Sequence, residues 1–388
     1  MEPIIDDLIK GITTEPCAKR RGEEKKDVKE VFTGSHTYEA WERMNEEFME
    51  RGWGDGFPLV ACTEEKVQAM ISATTRGRSD VLGYLPPGQG IATVEKLAIN
   101  AAMAGCKPGH LPVLIAAVEA MLQTPQSVFP IRSIAMSTGP HFFILLVNGP
   151  IIKRLGLQYG RCTLGPGKPG RVNTVLGRAL RLIMMNVGHS YPGHGDMDTI
   201  GSPHKYSFCL AENEDANPWQ SFHVERGFDP KESTVTVLGG NDVIHVKDYN
   251  VVAEDLLQTW SSAASNTSGS DLEARTESKP HSYLMMMCPD HARILSEQGF
   301  AKRGVREYVS FHSKAPIRWI NSETRNRPHA IARQWRWTLE ANQEMQIPVV
   351  RDPDDIHIVV VGGPTGKSDW VRLVGEPTIT KVIDSTIE

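Results

Sequence analysis

The chain has 388 residues, 40% of them hydrophobic and 23% charged, with a net charge of −5; that composition belongs to a folded globular protein with room for one large or two ordinary domains. The acidic balance argues against nucleic-acid binding, which calls for a basic patch, and no run approaches the roughly 20 apolar residues of a membrane span. Six scattered cysteines without a CxxC pair fit a reducing compartment, and the start MEPIIDDLIKG lacks the pattern of a secretory signal, so a cytoplasmic location is expected.

Residues 1–34 read as a flexible arm, in which Lys19, Arg20, Arg21, Lys25 and Lys26 are interleaved with Glu23, Glu24 and Asp27. The spacing of Tyr38, Trp41, Met44 and Phe48 predicts a helix from Thr37 to Arg51, closed by Gly52 and followed by the turn-rich Trp53–Pro58. Thr63 caps a helix running to Ile71, and further helices are expected over Thr93–Ala104 and Pro112–Leu122. The run His141–Val147 has the length of a buried strand and ends in Asn148-Gly149-Pro150; a helix follows from Thr174 to Asn186. The second half reads as a strand Ser233–Leu238 closed by Gly239-Gly240, a helix Val251–Trp260 and a Ser/Thr-rich flexible stretch over 261–280. Then come a strand Tyr283–Met287, helices Asp290–Gln298 and Arg303–Ser310, and a strand Ile356–Val361. The expected fold is α/β, a mixed sheet flanked by helices in two intimately packed halves, 35–230 and 231–388. An internal echo points to duplication: His141–Pro150 and His357–Pro364 both run an apolar strand into a Gly-Pro turn, and Cys106–His110 and Cys288–His291 both open helices.

Two familiar motifs fail on inspection. Gly165–Gly170 satisfies G-x-G-x-x-G, but no strand directly precedes it and prolines occupy its turn, so a dinucleotide site is not expected. Gly362–Ser368 resembles a phosphate-binding loop but is one residue short for wrapping a phosphate, and reads as a strand-end turn.

Three constellations can carry chemistry. The loop holding Lys168 and Arg171 opens the Thr174–Asn186 helix, whose Arg178 and Arg181 share a face, so a bound anion and structural pairing with acids are both open readings. The following loop gathers His189, His194, Asp196, Asp198 and His204; His194, Asp196 and His204, with Glu212, suit a divalent metal, although the spacing matches no standard motif, and a polar active-site loop carrying a general acid or base and an ordinary solvated loop are the other open readings. Cys106 closes a small-residue helix beside Lys107 and His110, which could lower its pKa; the alternative is an inert buried thiol.

The segments Gly54–Pro58, Ala92–Cys106, Asn148–Pro150, Gly177–Ile183, Lys205–Glu214, Pro218-Trp219 and His223–Phe228 together resemble an uncharacterised family of bacterial proteins, over roughly residues 50–364. That family is associated with proteins carrying a (seleno)cysteine-Gly-Ser-Cys motif, so the resemblance implies thiol or redox chemistry and a (seleno)cysteine-containing partner protein. It also implies glycine where this chain has His189, which weakens a role for that histidine.

Three functions follow as expectations. The first is a thiol-dependent enzyme acting on a small anionic metabolite: Cys106 is the nucleophile or redox thiol, His110 or His204 the acid–base group, and Asn148 an oxyanion donor. Lys168, Arg171, Arg178, Lys205, Glu212 and Asn213 then bind the substrate. The second is a metal-dependent hydrolase or lyase using His194, Asp196 and His204. The third is a non-catalytic binding or partner subunit; a homo-oligomer is expected in each case.

Overall fold

The computed structural model describes residues 30–266, 281–319 and 344–384. Most of the predicted arm and of the 261–280 stretch therefore lies outside the described residues. Residues 1–47 and 48–388 are separate compact units. In the first, the start of helix α1 (Thr37–Glu50) is organised by Glu39, which accepts from the Ser35 amide at 2.5 Å and pairs with Arg43.

The second unit is helical first. Thr63 caps α2 (Glu64–Ile71) by accepting from the Lys66 amide at 3.5 Å. An unpredicted hairpin, β1 (Val81–Leu85) and β2 (Gly90–Thr93), leads into α3 (Val94–Ala104) and α4 (Leu111–Gln123). Both helices are apolar nearly all round, as buried helices are. A short α5 (Ile131–Ala135) precedes β3 (Phe142–Asn148), α6 (Ile151–Leu155), α7 (Arg171–Asn186) and β4 (Cys209–Ala211).

After α8 (Phe222–Glu225) comes β5, which runs from Thr234 to Lys247 and is not closed by Gly239-Gly240 as expected. The glycines admit side chains: a Cβ on Gly240 would lie 2.3 Å from the Phe142 ring, and one on Gly239 2.5 Å from Ile134. The rest follows as α9 (Ala253–Ser265), β6 (Tyr283–Met287), α10 (Pro289–Glu297), α11 (Lys302–His312) and the small pair β7 (Lys314–Pro316) and β8 (Gln346–Pro348). Strands β9 (Ile356–Val360), β10 (Lys367–Leu373) and β11 (Lys381–Val382) complete the chain. Residues Gly362–Gly366 of the motif are thus a turn between β9 and β10, as its length suggested, and Lys367 and Ser368 open β10.

The main sheet is mixed and seven-stranded, in the order β4-β3-β5-β10-β6-β9 with β11 on β5. The flanking pairs β3–β4 and β6–β9 are parallel, and the inner contacts are antiparallel. Strand β5 pairs with β3 and β10, so the sheet runs without a break across the 230/231 boundary. The sheet curls until its edges touch, the Asn213 amide donating to the Val360 carbonyl at 2.7 Å and its side chain to Gly362 at 3.0 Å. Alternation then sorts each strand: Leu284 and Met286 join Phe142, Ile144, Leu238 and Val371 inside the curl, while Tyr283, Met285 and Met287 face the cluster that includes Trp260 of α9.

The sequence echo matches β3 with β9, yet β3 is an inner strand and β9 an edge strand. The topological counterpart of β3 is β6. Among the described residues no helix is long and apolar enough to cross a membrane.

Candidate acid–base site at the strand ends

Parallel pairing of β3 with β4 sets Val147 beside Ala211, so the residues leaving both strands emerge side by side. The Glu212 amide donates to the Val147 carbonyl at 3.2 Å. The Asn148 Nδ2 donates to Glu212 Oε2 at 2.5 Å and to Glu214 Oε1 at 3.1 Å. Gly149 adds its amide to Glu214 at 2.8 Å. Only glycine serves there: its φ is +85°, and a Cβ would stand 2.1 Å from the Glu232 carbonyl oxygen. Two further donors close on Glu212, the Phe222 amide at 2.8 Å and Asn217 Nδ2 at 2.8 Å.

Glu212 is 1% exposed. Burial pushes its carboxyl up to about 7, against Lys302, the Phe222 amide and Asn148, which favour the anion; the charge of Glu214 adds to the rise. The buried Asn148 Oδ1 has no hydrogen-bond partner among the described residues. His223, buried, sits 3.6 Å from Glu214. Burial holds its pKa below the usual imidazole value although Glu214 pulls it up. A cavity of about 250 Å³ opens on this group, lined by Gly149, Lys153, Tyr159, Glu212, Glu214 and Asp215 among others. Lys153 pairs with Asp215 at 2.7 Å, and that bond lowers the Asp215 pKa.

The cations expected to hold an anion lie elsewhere. Arg178 binds Asp55 through two bonds of 2.7 and 2.8 Å and also reaches the carbonyls of Phe57 and Pro58, so its charge fixes the Gly54–Pro58 turn. Lys205 lies before β4, at the strand end opposite Glu212, and pairs with Asp196 at 2.8 Å and Asp198 at 2.7 Å; Arg181 completes the cluster on Asp196 at 3.1 Å. These pairs form one wall of a larger cleft, about 1030 Å³, along the 191–206 loop. Lys168 and Arg171 are exposed, and neither enters an ion pair among the described residues. Pairing with acids is therefore the reading the structure supports for Arg178 and Arg181.

The metal trio is not assembled. His194 is exposed at the cleft, Asp196 is buried under Arg181 and Lys205, and His204 stacks on Phe142 with ring centroids 4.9 Å apart. Among the described residues no group of three or more His, Cys, Asp and Glu is placed to hold a metal ion.

Nor are Cys106 and His110 set up as nucleophile and base. The Cys106 thiol donates to the Val175 carbonyl at 3.4 Å, and burial pushes it far above the ordinary thiol range. His110 Nδ1 accepts from the Lys107 amide at 3.2 Å, and burial, with Lys107 and Arg171, holds the ring down at about 4. His204 Nδ1 lies 3.1 Å from Ser202 Oγ, with its pKa lowered by burial.

Of the predicted residues, the structure brings together Asn148 and Glu212, with Asn213 bridging the sheet edges. It adds Glu214, Asn217, His223 and Lys302, which sequence reasoning did not single out. Glu214 belongs to the same Lys205–Glu214 segment and could have been found there; Lys302 comes from a helix some ninety residues away, which nothing local signals. No family model matches the chain, and neither a curated protein nor a solved structure matches it.

Proposed function

We propose that the chain is an enzyme of general acid–base type, with Glu212 as the proton-transferring group and the strand-end cavity as its substrate site. The observation that carries this reading is a buried carboxyl poised near 7 on the wall of a cavity. A group with a pKa close to ambient pH both gives and takes a proton efficiently, and such perturbed groups cluster at functional sites. The position supports it as well, since Asn148 and Glu212 stand together at the carboxyl ends of the parallel strands β3 and β4.

Asn148 donates to both carboxylates and so holds Glu212 and Glu214 at fixed separation. The cavity equals about eight water volumes at roughly 30 Å³ each, which suits a metabolite of a dozen or fewer heavy atoms. Its wall carries Glu212, Glu214 and Asp215 against Lys153 alone. That charge balance favours an amine, amidine or amide substrate over the anion expected from the sequence. The reaction class is proton abstraction or protonation, as in a lyase, isomerase or hydrolase.

The test is a panel of small amines, amino acids and amides incubated with the protein in D2O and followed by proton NMR. Deuterium incorporation or conversion of one member, abolished in Glu212→Gln and retained in Cys106→Ala, supports the reading. Turnover unchanged in a folded Glu212→Gln protein contradicts it.

A further inference from the structure

The three acids on the wall of the strand-end cavity are not equivalent. Asp215 is satisfied at the rim: Lys153 Nζ donates to its Oδ1 at 2.7 Å and Tyr159 Oη to its Oδ2 at 3.2 Å. Glu212 is covered, and below about 7 it keeps its proton and brings no charge. Glu214 differs from both. Its side chain is 28% exposed and lines the cavity.

The contacts of Glu214 gather on one oxygen. Oε1 accepts from the Gly149 amide at 2.8 Å and from Asn148 Nδ2 at 3.1 Å, and His223 Nδ1 stands 3.6 Å from it. Among the described residues no hydrogen bond reaches Oε2. One oxygen thus fixes the carboxylate while the other is left to a ligand.

Nothing in the surroundings matches the charge of this group. Its two N–H donors are neutral amides. His223 is buried, with Nδ1 also 3.0 Å from Ser221 Oγ, and burial holds the ring below the usual imidazole value, so it is uncharged at neutral pH. Lys153, the cation on the wall, is taken by Asp215. The α11 cations are engaged elsewhere, since Lys302 pairs with Glu225 at 2.7 Å and Arg306 with the same acid at 3.1 Å. A carboxylate left in this state is completed by a cationic N–H donor, which makes a stronger hydrogen bond than a neutral one.

We propose that Glu214 is the specificity-determining residue of this site, its Oε2 accepting from an ammonium or amidinium nitrogen of the substrate. The assignment rests on the acid–base reading of the same cavity and narrows it from amines, amidines and amides to small cations. The two carboxyls lie across one nitrogen of Asn148, which places the proton exchange with Glu212 at an atom adjoining the charged nitrogen.

The test is binding by the full chain at about pH 6, read by NMR titration with ethylammonium, acetamidinium and acetamide, three probes of similar size. Both cations are expected to bind at least about fivefold more tightly than acetamide, the scale of one part-exposed charge pair. Glu214→Gln keeps an acceptor for Gly149 and Asn148 but removes the charge. It should weaken both cations about fivefold and leave acetamide within about twofold. Lys153→Met, at an exposed position, bares Asp215 and should tighten both cations at least about twofold. No binding of either cation, acetamide bound as well as the cations, or cation affinity unchanged in folded Glu214→Gln overturns the assignment. Should Glu214→Gln fail to fold, Lys153→Met decides, and unchanged or weaker cation binding there overturns it. Cation binding that depends on Glu214, without turnover of any amine or amide, upholds the assignment and counts against the acid–base reaction. Turnover abolished in Glu212→Gln, with cation affinity unchanged in Glu214→Gln, upholds the reaction and removes Glu214 from it.

Discussion

Asn148 and Cys288 occupy matching places in the sheet. The Val147 carbonyl accepts the Glu212 amide at 3.2 Å, and the Met287 carbonyl accepts the Val361 amide at 2.9 Å. Each therefore follows an inner-strand residue whose carbonyl accepts from the first residue beyond the parallel edge strand, Asn148 as the last residue of β3 and Cys288 as the first beyond β6. Asn148 presents its side-chain amide to buried carboxylates, whereas Cys288 caps the start of α10 and gives its backbone amide to Ser368 Oγ at 2.9 Å.

Glu212 makes stability depend on pH in a defined direction. Its folded pKa of about 7 lies above the ordinary carboxyl value of 4.5, so between those values the folded chain keeps a proton that the unfolded chain has lost. Stability therefore falls as pH rises through that window, by about 3 kcal/mol at 1.36 kcal/mol per unit. Glu212→Gln removes the ionisation. Urea unfolding at pH 4.5 and pH 8 should show the wild type losing about that much relative to the variant.

Arg178 and Asp55 form a pair whose side chains are 14% and 2% exposed. Removing one partner strands the other charge, so Arg178→Ala should cost about 3 kcal/mol or more. Lys168→Ala and Arg171→Ala, at exposed positions without ion pairs, should stay within about 0.5 kcal/mol. Equal losses across the three variants, measured by urea unfolding, would contradict these assignments.

Gly149→Ala should be severe, because the new Cβ meets the Glu232 carbonyl at 2.1 Å in a positive-φ turn. A loss above about 3 kcal/mol is expected, from strain and the forced shift together. Gly156→Ala is the control: φ is +72° but nothing lies within 4 Å, so only the backbone cost of about 1–2 kcal/mol applies. Thermal melting of the two variants separates clash from conformation.

Much of the fold was legible because local patterns decide it. The helices α2, α3, α4 and α7 and the strands β3, β6 and β9 each carry periodicity, caps or an unbroken apolar run. The hairpin β1–β2 and strand β10 were not legible. In β10, Lys367, Ser368 and Asp369 mask a strand that is buried only because β5 and β6 flank it. The glycines of β5 read as a stop, since the side chains they accommodate come from Ile134 and Phe142, a hundred residues away.

At the site, Asn148, Glu212 and Asn213 could be named from their segments. Cys106 attracted attention through Lys107 and His110, whose local proximity in sequence does not become a thiol–base contact. Cys288 and His291 also stand at helical spacing in the sequence, yet the imidazole is held by Ser368 Oγ and the Asp248 carbonyl, partners that only the folded sheet supplies.

The central claim rests on the protonation of Glu212, and carboxyl-carbon NMR measures it directly. Protein labelled at glutamate side chains and titrated from pH 3 to 9 should show one resonance with a midpoint near 7, absent from the Glu212→Gln spectrum. A Glu212 resonance that titrates in the ordinary carboxylate range, near 4.3, would contradict the acid–base account.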